Sequence, residues 1–132
     1  MTPWLNGEVI SAAAIKRLSR RLGRVKVSII SNDWAIQTLD RLGAEAQFVR
    51  FKDGSAAILL RPLATRYQLV HELKHFEHWL RSPSDYAKME RLEREEFVYK
   101  RLQESNHWRL FNASEKAHAL EYIKYMRLLH QS

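Results

Sequence analysis

The residues best suited to chemistry form the segment His71-Glu72-Leu73-Lys74-His75. On a helix, residues four apart differ by about 40° in direction and about 6 Å in height, so His71 and His75 project from one face and can bind one ion together. The chain has no cysteine, so a metal must be held by histidine and carboxylate rather than by thiolate. Imidazole pairs of this kind suit zinc. The segment therefore predicts a Zn²⁺ site.

Glu72 is predicted to be the catalytic residue beside that metal. It lies about 100° from His71 and about 60° from His75 around the helix axis, so its carboxylate is expected next to the ion rather than on it. Zinc lowers the pKa of its bound water from about 15.7 toward about 7. A neighbouring carboxylate can take that proton and then protonate a leaving amine. These roles indicate a metal-dependent hydrolase, most simply a peptidase.

A catalytic zinc needs a third protein ligand, which leaves its fourth position for water. The next predicted helix carries a seam at spacings of 3, 4 and 3, made of Leu92, Glu95, Tyr99 and Leu102. A carboxylate within a buried seam needs a partner, which favours Glu95. Glu96 lies at the edge of the same apolar face and stays open as the alternative. His78 is about 10 Å along the axis from His71, so it is interpreted as a supporting or surface residue.

The other histidines and the aromatic residues are weaker candidates. His107 and His130 are isolated, and His118 is considered only for stabilising a developing oxyanion. The remaining ring side chains are expected to serve the core and helix contacts: Trp34, Phe48, Phe51, Tyr67, Phe76, Trp79 and Tyr86.

Regular elements must position these residues. Asp53-Gly54 suits a tight turn between two apolar strands, which predicts a β-hairpin. Thr65 and Gln68 form a capping box at the start of the helix with both metal-site histidines. In chain order we expect a helix over 8–22 ended by Gly23, a strand over 26–30, a helix from Ser31 or Asn32 to Leu42, hairpin strands over 47–51 and 56–60, and helices over 65–81, 84–104 and 114–130. The predicted fold class is α+β, with a small antiparallel or mixed sheet packed against the active-site helix and the helices that follow.

Size and composition favour one soluble domain over residues 1–132, with 45% hydrophobic and 28% charged residues. No apolar run approaches the roughly 20 residues of a membrane span. The formal net charge of +7 suggests an alternative function, a non-catalytic binding module with a structural metal. That module would use a basic cluster formed by Lys16, Arg17, Arg20, Arg21, Arg24 and Lys26. The cluster has no interleaved aromatic residues for base stacking, which argues against nucleic acid.

The ordered motifs resemble a known family. They are Ile58-Leu59-Leu60-Arg61, Ala64-Thr65-Arg66-Tyr67, the segment from His71 to Trp79, the segment from Leu92 to Tyr99, and the segment from Glu115 to Ile123. From about Gln47 onward the chain resembles the zincin-like metallopeptidase toxin domains, type four, of bacterial polymorphic toxin systems.

The resemblance implies a gluzincin-like Zn²⁺ site with His71, His75 and, by the register of Glu-x-Phe-Val-Tyr, Glu95. It also implies a toxic domain delivered by a larger secreted protein into the cytoplasm of a neighbouring cell, where it cuts a protein or peptide and is neutralised by a cognate immunity protein. We expect the substrate to add as a strand at the hairpin edge near residues 56–60.

Overall fold

The computed structural model describes residues 7–131 of the chain. Over that range six α-helices and three strands follow one another, with a short 3₁₀ turn before the last helix. Their bounds are α1 (Ala12–Gly23), β1 (Val27–Ile30), α2 (Asp33–Leu42), β2 (Ala46–Arg50), β3 (Ala56–Leu60), α3 (Arg66–Arg81), α4 (Pro83–Lys88), α5 (Arg91–Glu104), the 3₁₀ turn (Trp108–Leu110) and α6 (Ala113–Leu129).

The three strands form one mixed sheet in the order β1-β3-β2. β3 lies in the middle, parallel to β1 with Val27 opposite Ala56, and antiparallel to β2 with Phe48 opposite Ile58. All five β3 residues are buried, as expected for a continuous apolar run paired on both sides. The predicted α+β class, mixed sheet and hairpin are therefore confirmed. β3 is not an edge strand, however, so the expected substrate edge at residues 56–60 is wrong.

Helices cover both faces of the sheet. On one face α2 packs Ala35 and Leu39 against Ala57 and Leu59 of β3. On the other face Ile58 packs in a cluster with side chains from α1, β1, β2, α3 and α4: Leu22, Val27, Phe48, Leu69, Phe76 and Tyr86. The alternation of β3 side chains between two helical layers fixes α3 against the sheet.

A second cluster joins α3 to the last two helices. Val70 of α3 packs with Val98 and Leu102 of α5 and with Ala119 of α6. Val98 and Leu102 are 0% and 1% exposed, so α5 is held firmly beside the site helix. This contact brings the carboxylates of α5 toward the histidines of α3.

Two predicted helices differ from the structure. α1 begins at Ala12 rather than at residue 8, because the Ser11 side chain caps the Ala14 N–H. Val9 lies outside the helix and forms an isolated antiparallel β-bridge with Thr65. The helix expected over 84–104 is two helices, because Met89 has an extended backbone with ψ 143°. Arg94 satisfies the carbonyl ends of α4 by donating to the Tyr86 and Ala87 oxygens at 2.8 and 3.2 Å.

Some side chains and caps also differ from expectation. Trp34 and Phe51 are 45% and 40% exposed rather than core residues, since Trp34 points about 100° away from the buried Ala35 and Phe51 lies where the hairpin loop begins. Asn112 rather than Ser114 caps α6, through a capping box with Glu115.

Candidate metal centre

Three side chains from two helices converge at one point beside the sheet. His71 and His75 lie on α3, and Glu95 lies on α5. One Glu95 oxygen is 3.0 Å from His75 Nε2, and the other is 3.3 Å from His71 Nε2. Potential ligand atoms of all three residues lie within 4.8 Å of one another. The structure thus brings together the three residues that the sequence predicted as metal ligands.

The geometry and chemistry of this group fit a divalent cation. Ligand atoms about 2.0–2.2 Å from a tetrahedral zinc lie about 3.3 Å apart, close to the two histidine–carboxylate separations. Glu95 Oε2 is buried without a hydrogen bond of good geometry, although buried carboxylate oxygens normally have a partner. His71, His75 and Glu95 can therefore hold a metal together.

In the protein without metal, Glu95 and His71 are both charged, with opposite signs. Burial acts to raise the pKa of Glu95, but the close imidazole nitrogens of His71 and His75, together with their charge, hold that pKa far below its usual range. Burial acts to lower the pKa of His71, but the Glu95 carboxylate 3.3 Å away and the Glu72 charge prevail and raise it to about 9. Glu95 is thus ionised, as a metal ligand must be.

Glu72 lies next to the cluster without joining it. Its Oε2 is 3.9 Å from His71 Nε2, and its Oε1 accepts the backbone N–H of Phe48 at 2.8 Å. The edge strand β2 therefore fixes the orientation of this carboxylate. Burial raises the pKa of Glu72, which brings a carboxyl group closer to the range useful for moving protons near neutral pH.

Tyr86 supports the second histidine, a role that the sequence did not indicate. Its hydroxyl lies 3.1 Å from His75 Nδ1, on the side of the ring away from Glu95. Burial raises the Tyr86 pKa to about 12, so the hydroxyl keeps its proton. A phenol can donate to or accept from an imidazole nitrogen, so this contact orients His75 in either tautomer.

Two further tyrosines and His118 lie near the metal-site residues, Tyr67 on α3 and the other two residues on α6. The Tyr67 hydroxyl is 2.9 Å from His118 Nδ1, and the Tyr122 ring centre lies 6.0 Å from that of His71. Burial lowers the pKa of His118 and raises that of Tyr122. His118 thus lies where it could stabilise a developing oxyanion in the cleft, while Tyr67 has a polar contact besides packing.

The two competing candidates on the helices lie elsewhere. Glu96, the alternative ligand, points to the surface and forms a two-point pair with Arg127 at 2.6 and 2.9 Å. His78 is buried rather than on the helix surface, and its ring stacks on Phe97 with centres 3.7 Å apart. It also contacts the edge of the Tyr86 ring, so it supports the residue that holds His75.

A cleft of about 590 Å³ opens onto these residues. Its lining comes from the segment 42–48, which includes three of the five β2 residues, and from residues of α3, α4, α5 and α6. Glu72, Glu95, His71 and His75 all line it. A substrate in this cleft would reach both the metal-binding group and Glu72.

Comparison with known protein families identifies a match that covers nearly the whole chain. The sequence pattern of the family described as metallopeptidase toxin 4 matches residues 2–129. It extends over the N-terminal region as well as the motifs from residue 47 onward. No curated protein and no solved structure matches the chain. Among the described helices, none is both long and apolar enough to cross a membrane.

Proposed function

The chain belongs to the metallopeptidase toxin 4 family, and from this premise we propose that it is a zinc-dependent endopeptidase with a zincin-like fold and a gluzincin-type site. The observation that supports this most strongly is the meeting of two imidazole Nε2 atoms with a buried, ionised carboxylate, beside a second buried carboxylate. Two histidines and one glutamate are a ligand set of catalytic zinc.

His71, His75 and Glu95 would hold the ion. Bound zinc would supply Lewis acidity, polarising the peptide carbonyl and making water a better nucleophile. The protein's part is to fix the three ligands, and two of them have clear support from their neighbours. Tyr86 orients His75, and the packing of Val98 and Leu102 against α3 positions Glu95.

Glu72 would move the proton. With Oε1 held by the Phe48 N–H, Oε2 faces the cluster and can accept a proton from the attacking water. The same oxygen then delivers that proton to the amide nitrogen of the leaving group. Burial raises the pKa of Glu72. The Glu72 carboxyl group can therefore hold the proton between its removal from water and its delivery to the leaving amine.

The edge of β2 is the better place for a substrate strand. β3 is paired on both sides, whereas β2 pairs with β3 and borders the cleft with Ala46, Gln47 and Phe48. The Phe48 N–H points away from β3 toward Glu72, so by the alternation of an antiparallel ladder the Ala46 backbone groups also point outward. An extended peptide can pair there and pass its carbonyl to the metal site.

As a toxin, the protein would be carried into a target-cell cytoplasm and cut proteins there, with a cognate immunity protein protecting the producer. The family description supports the toxic and peptidase parts of this proposal. The exposed basic cluster on α1 is a surface where an acidic immunity protein could dock, which would make that complex salt-sensitive.

The function is tested by expressing wild type and Glu72→Gln in a bacterial cytoplasm. Glu72→Gln should keep zinc and the fold, abolish growth inhibition and abolish the new protein termini seen by mass spectrometry. A matched control is the double charge reversal Arg20→Glu with Arg21→Glu, which should remain proteolytic. The reverse pattern, a silent Glu72→Gln and an inactive double reversal, would favour the binding-module alternative.

A further inference from the structure

The cleft carries two arginines that the metal chemistry does not use. Arg91 and Arg94 both line it, and because they are three residues apart at the start of α5 they project from neighbouring parts of one helix face. Glu95 follows directly on the same helix. Any substrate bound at the metal site would therefore pass close to guanidinium groups.

Arg94 already has a structural role. It donates to two backbone carbonyls at the end of α4, and its guanidinium carbon lies 4.5 Å from the centre of the Tyr86 ring. These contacts hold the break between α4 and α5 and leave the side chain little freedom to reorient. Arg94 contributes charge to the cleft, whereas direct contacts to a ligand must come from elsewhere.

Arg91 is different because it is exposed and, among residues 7–131, no carboxylate forms an ion pair with it. Burial raises the pKa of Tyr122, and Arg91 lies close enough to act against that rise. Both side chains line the cleft. A guanidinium has five donors, so Arg91 has donors available for a ligand beside Tyr122.

Helix stability does not explain a cation at this position. Arg91 is the first residue of α5, where the partial positive charge of the helix end makes a cation unfavourable. Arg94 lies one turn further along and adds to the same positive potential. Glu90 and Glu93 already cap this helix end with their side chains, so an anion in the cleft would interact with the two guanidinium groups rather than with the helix end.

The charge balance of the cleft favours an anion as well. The two negative charges of Glu72 and Glu95 would offset the two positive charges of a bound divalent ion. Glu45, another acidic residue of the cleft lining, lies 3.6 Å from Arg61. Arg61 also pairs with Asp40 at 2.8 Å, so it offsets Glu45 only in part. Even with Glu45 counted in full, the two arginines and a divalent ion (+4) exceed the three lining carboxylates (−3), so the cleft keeps a net positive charge.

We propose that Arg91 receives a carboxylate of the substrate, and so makes the enzyme selective for peptides with an acidic group near the bond to be cut. The carboxylate is either an Asp or Glu side chain or the C-terminal carboxylate of the peptide, since a guanidinium pairs with both in the same two-point geometry. The inference rests on the proposed peptidase function.

The experiment uses the zinc-loaded full chain and a peptide library prepared from a bacterial proteome, with cleavage sites read by mass spectrometry. A matched set of synthetic peptides is made with C-terminal amides in place of free C-termini, which separates the two sources because the Asp and Glu side chains stay unmodified. Wild type is compared with Arg91→Ala, Arg91→Lys and Arg91→Glu. Arg20→Glu, on the exposed face of α1 and outside the cleft lining, is the matched charge-reversal control.

Wild type should cut preferentially beside Asp or Glu at one fixed position, or at a fixed distance from a free C-terminus that amidation abolishes. For such peptides Arg91→Ala should lower kcat/KM about tenfold or more, the effect of losing a hydrogen bond to a charged group. Arg91→Lys should restore part of the loss, and Arg91→Glu should shift the preference toward Lys or Arg. Arg91→Ala should keep the zinc affinity and the urea unfolding transition of wild type, which shows that the fold and the metal site are intact.

Two failures are distinguishable. If wild type cuts peptides but shows no preference for a carboxylate, or if Arg91→Ala leaves that preference unchanged, the role of Arg91 is overturned while the peptidase stands. If zinc-loaded wild type cuts nothing in the library, the proposed function itself is overturned, and the substrate inference falls with it.

Discussion

Replacing Tyr86 by Phe tests whether the site depends on support from outside the ligand set. The change removes one hydroxyl, whose oxygen lies 3.1 Å from His75 Nδ1, and keeps the ring. The packing of that ring against Phe48, His78 and Arg94 should therefore remain. What is lost is the group that orients His75.

The magnitude follows from two separate effects. Without metal, loss of one buried hydrogen bond should lower the free energy of unfolding by about 0.5–1.5 kcal/mol. With metal, removing the partner of a ligating imidazole typically weakens binding by about 10–100-fold, which corresponds to about 1.4–2.7 kcal/mol. Zinc affinity should thus fall more than stability does.

The assay is a zinc competition titration against a chromophoric chelator, with urea unfolding of the metal-free protein measured in parallel. Tyr99→Phe is the matched control, because Tyr99 borders a small cavity with His71 and Glu95, while its hydroxyl accepts a hydrogen bond from Gln103 on the same helix. An unchanged zinc affinity in Tyr86→Phe, or an equal loss in both variants, would refute the argument that Tyr86 supports the metal site.

Two other predictions concern single carboxylates. Glu95→Gln should weaken zinc binding by at least about 100-fold in the same titration, because it removes a charged ligand. Glu96→Gln should leave the zinc affinity within about twofold, since Glu96 pairs with Arg127 at the surface. Comparable losses in the two variants would show that the third ligand is misassigned. Burial raises the pKa of Glu115, and the Glu8 charge adds to this despite the Asn112 hydrogen bond, so the folded state binds that proton more tightly than the unfolded state does. This contribution to stability is complete below the unfolded pKa of about 4.3 and is lost as pH rises through the higher folded value. Glu115→Gln should therefore lose less stability than wild type between pH 4.5 and 8 in urea unfolding, and an identical pH dependence in both proteins would contradict the assignment.

The part of the site that sequence could predict depends on local geometry. His71, Glu72 and His75 belong to one helix, whose period determines which side chains share a face. The apolar seam of the next helix favoured Glu95 and left Glu96 open, and the family resemblance selected Glu95. The structure agrees because burial of that seam against α3 turns Glu95 inward and leaves Glu96 beside Arg127.

The supporting residues depend on tertiary contacts that have no periodic signal. Tyr86 reaches His75 only because α4 is a separate short helix, and that break depends on Arg94 binding the α4 carbonyls. Phe48 orients Glu72 through a backbone N–H, so its side-chain type carries no information about this contact. Burial of a tyrosine hydroxyl, which requires a partner, is the one signal that could have drawn attention to Tyr86.

Sheet order could not be read from the hairpin alone. Residues 47–51 and 56–60 predict two paired strands, but they do not say on which side a third strand adds. β1 adds in parallel beside β3, which places β3 in the centre and leaves β2 beside the cleft. The continuous apolar character of Ala56–Leu60 was the available indication, because strands buried on both faces lack polar alternation.

The most direct test of the central claim is anomalous diffraction at the zinc absorption edge from crystals of the zinc-loaded Glu72→Gln variant. We predict one anomalous peak per chain, about 2.0–2.2 Å from His71 Nε2, His75 Nε2 and a carboxylate oxygen of Glu95, with residue 72 outside the ligand set. A peak bound by other residues, or no peak in protein saturated with zinc, would contradict the account.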